Sequence, residues 1–83
     1  MKTVTFSQII ELNKILQEKG LNYKIHISDA CGQQSMWIEA LDSELSIPMD
    51  DSLNETIIYY FAKQGMGLDF SSDRDSFWVA EED

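Results

Sequence analysis

The second half of the chain echoes the first. Gly20-Leu-Asn-Tyr-Lys-Ile-His-Ile-Ser-Asp29 leads to Ser35-Met-Trp-Ile38, and Gly65-Met-Gly-Leu-Asp-Phe-Ser-Ser-Asp73 leads to Ser76-Phe-Trp-Val79. Each stretch follows a segment of helical periodicity, so the unit reads helix-strand-strand, twice. Ser7 to Ser52 and Gly20 to Gly65 are both 45 residues apart, whereas Ser35 to Ser76 is 41. Strands joined by short links pair antiparallel. The order therefore predicts an α+β fold: a duplicated helix-strand-strand unit forming a four-stranded antiparallel sheet, with two helices on one face and a possible short N-terminal edge strand at residues 2–5. Where the second copy turns through Arg74-Asp75, the first carries Ala30-Cys31-Gly32-Gln33-Gln34. This reads as a longer loop, and an insertion in a repeated scaffold is a natural place for copy-specific function.

Eighty-three residues make a single domain, 1–83, with pseudo-repeats at about 5–42 and 50–80 and an acidic connector at 42–51. A chain this short buries roughly 60% of its unfolded surface, so its stability is modest or shared with a partner. Fifteen acidic residues oppose six basic ones, for a formal charge of −9. That field repels phosphate backbones, and the lysines are scattered among acids. Nucleic acid and anionic membrane surfaces are therefore not expected partners. One cysteine allows no internal disulfide and suits a reducing compartment. The start lacks an apolar h-region and no apolar run approaches ~20 residues, so a cytoplasmic protein is expected.

Thr5 with Gln8 fits a capping box, Val4 with Ile9 the hydrophobic staple, and Ile9, Leu12, Ile15 and Leu16 the buried stripe of a first helix that Gly20 ends. Tyr23, Ile25 and Ile27 alternate with polar residues as a half-buried strand, Asp29 to Gln34 reads as a turn, and Met36, Ile38 and Ala40 begin the return strand. Ser52 with Glu55 suggests a second capping box, ahead of a stripe of Leu53, Ile57, Tyr60 and Phe61. Gly65 and Gly67 then stop that helix. Leu68 and Phe70, then Phe77 and Val79, supply the last hairpin.

If Met36, Ile38, Phe77 and Val79 face the helices, the pleat sends Trp37 and Trp78 to the other face with Lys24, His26, Glu39, Asp69 and Ser71. Two helices cover one side of a four-stranded sheet, so this face is open to a protein partner or a second copy. The competing arrangement tucks the tryptophans under the 42–51 connector. In the loop Asp29, Cys31 and Gly32, a reactive thiol would need a nearby cation, helix N-terminus or histidine. Asp29 opposes that, and a plain turn with Gly32 at positive φ accounts for the residues. One cysteine and one histidine fall short of a zinc site. Asp50, Asp51 and Glu55 suit a helix dipole better than a cation cage. No cofactor motif is present.

The stretch His26-Ile-Ser-Asp-Ala-Cys-Gly-Gln-Gln-Ser-Met-Trp-Ile-Glu39 resembles the signature of a small bacterial group, the RDAC family, named for an Arg-Asp-Ala-Cys motif. Length and element order are also similar, although Ser28 stands where the motif has arginine. The resemblance implies a bacterial cytoplasmic protein and no particular activity. The expected role is a non-enzymatic protein-interaction or self-association module using Trp37, Trp78, His26, Lys24 and Glu39. The alternative is a thiol-dependent redox or sulfur-handling role at Cys31.

Overall fold

The computed structural model describes residues 3–30, 33–42, 44 and 50–80, without the side chains of 29, 30 and 33. Its elements run α1 (Phe6–Glu18), β1 (Tyr23–Ala30), β2 (Gln33–Ala40), α2 (Asp51–Lys63), β3 (Leu68–Phe70) and β4 (Ser76–Val79). The strands form one antiparallel sheet in the order β1-β2-β4-β3, so each hairpin joins the other through its second strand.

Helix α1 begins as its sequence predicts. Thr5 Oγ1 accepts from the Gln8 amide at 3.2 Å while Gln8 Oε1 accepts from the Thr5 amide at 2.8 Å. Its stripe of Ile9, Leu12 and Leu16 is buried, each side chain contributing about 1.5–3 kcal/mol. Both helices end in the same way. Gly20 and Gly65 take φ of 73° and 76°. The residue after each glycine donates back to the helix, Leu21 to Leu16 and Met66 to Phe61, at 2.9 Å in both cases. This is the Schellman closure that a left-handed residue permits, and glycine adopts it without a Cβ penalty.

The second helix starts elsewhere than expected. Asp50, not Ser52, is its N-cap, with Oδ1 accepting from the Leu53 amide at 3.0 Å. A carboxylate at this position adds charge–dipole attraction to the capping bond. Its other oxygen accepts from the Tyr23 hydroxyl at 2.8 Å, which ties the helix start to β1. Ser52 lies inside the helix, where its carbonyl accepts from Thr56 Oγ1 at 2.7 Å. Leu53, Ile57, Tyr60 and Phe61 form the buried stripe, and Asn54 is buried beside them with no donor to its Oδ1 among the described residues.

One apolar cluster joins the stripes of both helices to Tyr23, Ile25, Met36, Ile38 and Phe77, which places both helices on the same face of the sheet. Phe77 lies at its centre, its ring 6.0 Å from that of Phe61 and 5.4 Å from that of Phe70.

Two expectations about the first hairpin are corrected. The β1–β2 ladder continues to the pair Ala30–Gln33, so the stretch read as a turn over 29–34 is mostly strand. Only Cys31 and Gly32 separate the two strands, and they lie outside the described residues. The extra residues of the first hairpin lengthen paired strands, and it is the second hairpin that has the longer link, from Ser71 to Asp75. Antiparallel pairing lets residues 29, 30, 33 and 34 satisfy backbone groups on each other, which a turn over the same residues would leave to solvent.

Residues 3–5 form no edge strand. The Gln34 carboxamide meets Val4 instead, accepting from its amide and donating to its carbonyl, both at 2.9 Å. A side-chain amide thus does the work of a neighbouring strand. Removing it in Gln34→Ala is expected to cost about 1–2 kcal/mol and to speed hydrogen exchange at the Val4 amide. Urea unfolding with exchange read residue by residue checks this, and an unchanged Val4 rate would contradict it.

Candidate protein-interaction face

Beneath the helices, the pleat sends every second residue of the sheet the other way. His26 pairs with Trp37, Lys24 with Glu39 and Ser28 with Ser35 across β1–β2. Trp37 pairs with Ser76 across β2–β4, and Asp69 with Trp78 across β4–β3. Lys24, His26, Glu39, Trp37, Trp78 and Asp69 therefore share one face, as their alternation predicts. Trp37 is 43% and Trp78 39% exposed, whereas their neighbours Met36 and Phe77 are fully buried. Most of the 42–51 connector, which the competing arrangement places over the tryptophans, lies outside the described residues.

The two tryptophans stand on neighbouring strands, displaced from each other by two residues, which is the diagonal relation of an antiparallel pair. His26 fixes the first of them. Its ring stacks on Trp37 with centroids 4.1 Å apart and planes within 15°. Its Nε2 lies 2.8 Å from Glu39 Oε1. Stacking of this kind adds about 0.5–1.5 kcal/mol beyond area burial and holds the indole of an exposed residue in one orientation. The result is a pre-ordered aromatic surface rimmed by Glu39, Asp69 and Lys24.

At one end of this face, the Ser71 hydroxyl lies 3.1 Å from Asp73 Oδ1 and 3.2 Å from Asp75 Oδ1. Asp73 is held below the ordinary carboxylate range, chiefly by its hydrogen bond with the Asp75 carboxyl and then by Ser71. Arg74, at φ 62°, turns the loop and lies over the Phe70 ring at 5.4 Å.

Of the loop candidates, Cys31 and Gly32 lie outside the described residues, as does the side chain of Asp29. Asp50 is engaged as a helix cap and a tyrosine acceptor. Among the described residues no group of three or more His, Cys, Asp or Glu is placed to hold a metal ion, and no helix is long and apolar enough to cross a membrane.

Sequence reasoning missed four polar contacts that fix the frame around this face. Beside Gln34–Val4 and Tyr23–Asp50, the Tyr60 hydroxyl donates to Glu11 Oε1 at 2.8 Å and joins the two helices. The Asn13 carboxamide donates to the Ile25 carbonyl at 3.0 Å and accepts from the Ile25 amide at 2.7 Å. The legible signal was a tyrosine among the apolar positions of β1, Tyr23, and another in the stripe of α2, Tyr60, because a buried phenol needs a partner. The partners themselves are 27 and 49 residues away in sequence. No family model, no curated protein and no solved structure matches this chain.

Proposed function

We propose that the protein is a non-enzymatic interaction module that docks a basic protein partner on its open sheet face. One observation carries the reading: Trp37 and Trp78 stand side by side and exposed on a face that neither helix covers. Tryptophan in a polar surround is the composition of interface centres. Glu39 and Asp69 flank the pair, and the whole chain carries −9. Both features favour a cationic partner, whose arginine or lysine side chains can stack on indole and meet carboxylates, over a second, equally acidic copy.

Panning a displayed library of random peptides against the wild type, Trp37→Ala and Trp78→Ala tests this. Lysine- and arginine-rich binders should emerge on the wild type and lose about tenfold or more in affinity on each variant, or roughly 1.4 kcal/mol. The variants should keep the wild-type urea midpoint. Binders that ignore both substitutions would overturn the proposal. Loss of cooperative unfolding in both variants would instead make the tryptophans part of the core. A dimer in native mass spectra, dissolved by either substitution, would assign the face to a second copy.

The two helix-strand-strand units are, in the same reading, copies of one ancestor. Their helices both have 13 residues and their positive-φ glycines recur at the spacing of Gly20 and Gly65. The β2–β4 register adds support: pairing Met36 with Phe77 and Trp37 with Ser76 lets a two-fold axis through the first pair exchange Trp37 with Trp78. The RDAC resemblance of residues 26–39 stands beside this as a proposal about origin.

A further inference from the structure

The outer edge of β1 offers a second surface, independent of the tryptophans. Strand β1 is at the end of the sheet. The Leu41 amide donates to the Asn22 carbonyl at 3.0 Å, so the even-numbered residues of β1 exchange backbone bonds with β2. The odd-numbered ones, Tyr23, Ile25, Ile27 and Asp29, point theirs outward. At Ile25 that outward pair is filled by the Asn13 carboxamide, which gives and takes one hydrogen bond as a peptide group would. Further along, among the described residues, nothing is paired with the outward groups of Ile27 and Asp29.

The wall above this stretch is apolar. On α1, Phe6 and Ile10 fall on the same side as Asn13, within about 60° of it at 3.6 residues per turn. They are 73% and 69% exposed, the two most exposed large apolar side chains among the described residues. Because α1 runs back antiparallel over β1, they stand about 5–10 Å beyond Asn13 along the helix axis. That is the level of Ile27 and Ser28, at about 3.3 Å per strand residue counted from Ile25. An open strand edge under an exposed apolar helix side is a groove shaped for an added strand.

We propose that this groove binds a short extended segment of a partner protein by strand addition. Its backbone pairs with Ile27 and Asp29, every second side chain rests on Phe6 and Ile10, and Asn13 ends the ladder at Ile25. The occupant carries basic residues, because the chain's charge of −9 draws cations and repels a second copy.

Hydrogen exchange and peptide binding test this together. In the free protein the Ile27 amide should exchange fast while the inward-bonded His26 and Ser28 amides exchange slowly. Slow exchange at Ile27 in the free monomer would overturn the proposal. Random heptapeptides, displayed and selected on the wild type with counter-selection on the Phe6→Asp/Ile10→Asp variant, should slow exchange at Ile27 and Asp29. Single N-methylation along a selected peptide should weaken binding at alternate positions by about tenfold or more, which is the two-residue period of a strand. Their binding should be unchanged by Trp37→Ala, which separates this groove from the aromatic face. Failure to select any such peptide, or binding indifferent to N-methylation, sinks the idea. Protection of Ile27 that grows with protein concentration alone would identify the occupant as a second copy and also overturn it.

Discussion

Phe77→Ala is expected to remove a large share of the stability of the domain. Phe77 is fully buried, pairs with Met36 and Phe70 across its two neighbouring strands, and packs its ring against Phe61 and Phe70. It is therefore the one strand residue that joins both hairpins to α2. Truncating a buried phenylalanine costs about 3–5 kcal/mol, through lost transfer energy and the cavity left behind. A domain of this length holds about 4–12 kcal/mol in all, so the urea midpoint should fall by about a quarter of its value at the least and by all of it at the most. Phe77→Leu, which keeps most of the volume, should lose far less. Urea unfolding followed by circular dichroism decides it, and a loss below about 1 kcal/mol for the alanine variant would show that the hairpins do not depend on this contact.

Alkaline pH should destabilise the fold through two tyrosines. Tyr23 is pushed up from 10.0 to about 12, first by burial, then by the hydrogen bond it donates to Asp50 and by that carboxylate's charge. Tyr60 is pushed up from 10.0 to about 12 for the same reasons in the same order, with Glu11 as its partner. In both the folded value lies above the unfolded one. Their contribution is therefore complete below pH ~10 and is lost as pH rises toward ~12. The ceiling is about 2.7 kcal/mol each, and about 1–2 kcal/mol is the better expectation because the accepting carboxylates reach solvent. Urea midpoints measured from pH 8 upward should hold level and then fall. In the Tyr23→Phe/Tyr60→Phe variant the starting stability should be lower by about 1 kcal/mol per lost hydrogen bond, and the fall should be much shallower. An equally steep fall in that variant would place the alkaline sensitivity elsewhere.

The elements were largely legible because they rest on local physics. Thr5 and Gln8 lie three residues apart and cap α1 through each other, and glycine at 20 and 65 closes both helices because it takes the left-handed conformation without a Cβ penalty. The period-two alternation of Tyr23, Ile25 and Ile27 and of Met36 and Ile38 separates the buried face from the aromatic one without any knowledge of strand order. That is why the side of the sheet carrying Trp37 and Trp78 was readable in advance.

What the sequence hid involves competition between partners far apart in the chain. Ser52 with Glu55 was an adequate local cap, but Asp50 took the position with the Tyr23 hydroxyl as a second anchor. Gln34 looked like a loop residue, and only the fold brings its carboxamide to Val4, 30 residues away. Asn13 adjoins the apolar stripe of α1 in sequence, and only the packing of α1 on β1 places it over the strand edge. Local pattern alone determined the start of α1, the glycine-closed ends of both helices, the strand faces and the side that carries the tryptophans, since those depend on neighbours within a few residues. The tertiary structure alone decided the order β1-β2-β4-β3, the meeting of His26 with Trp37 and Glu39, and which strand edge stays open, because each of these is a choice among distant partners that similar local sequences could equally make.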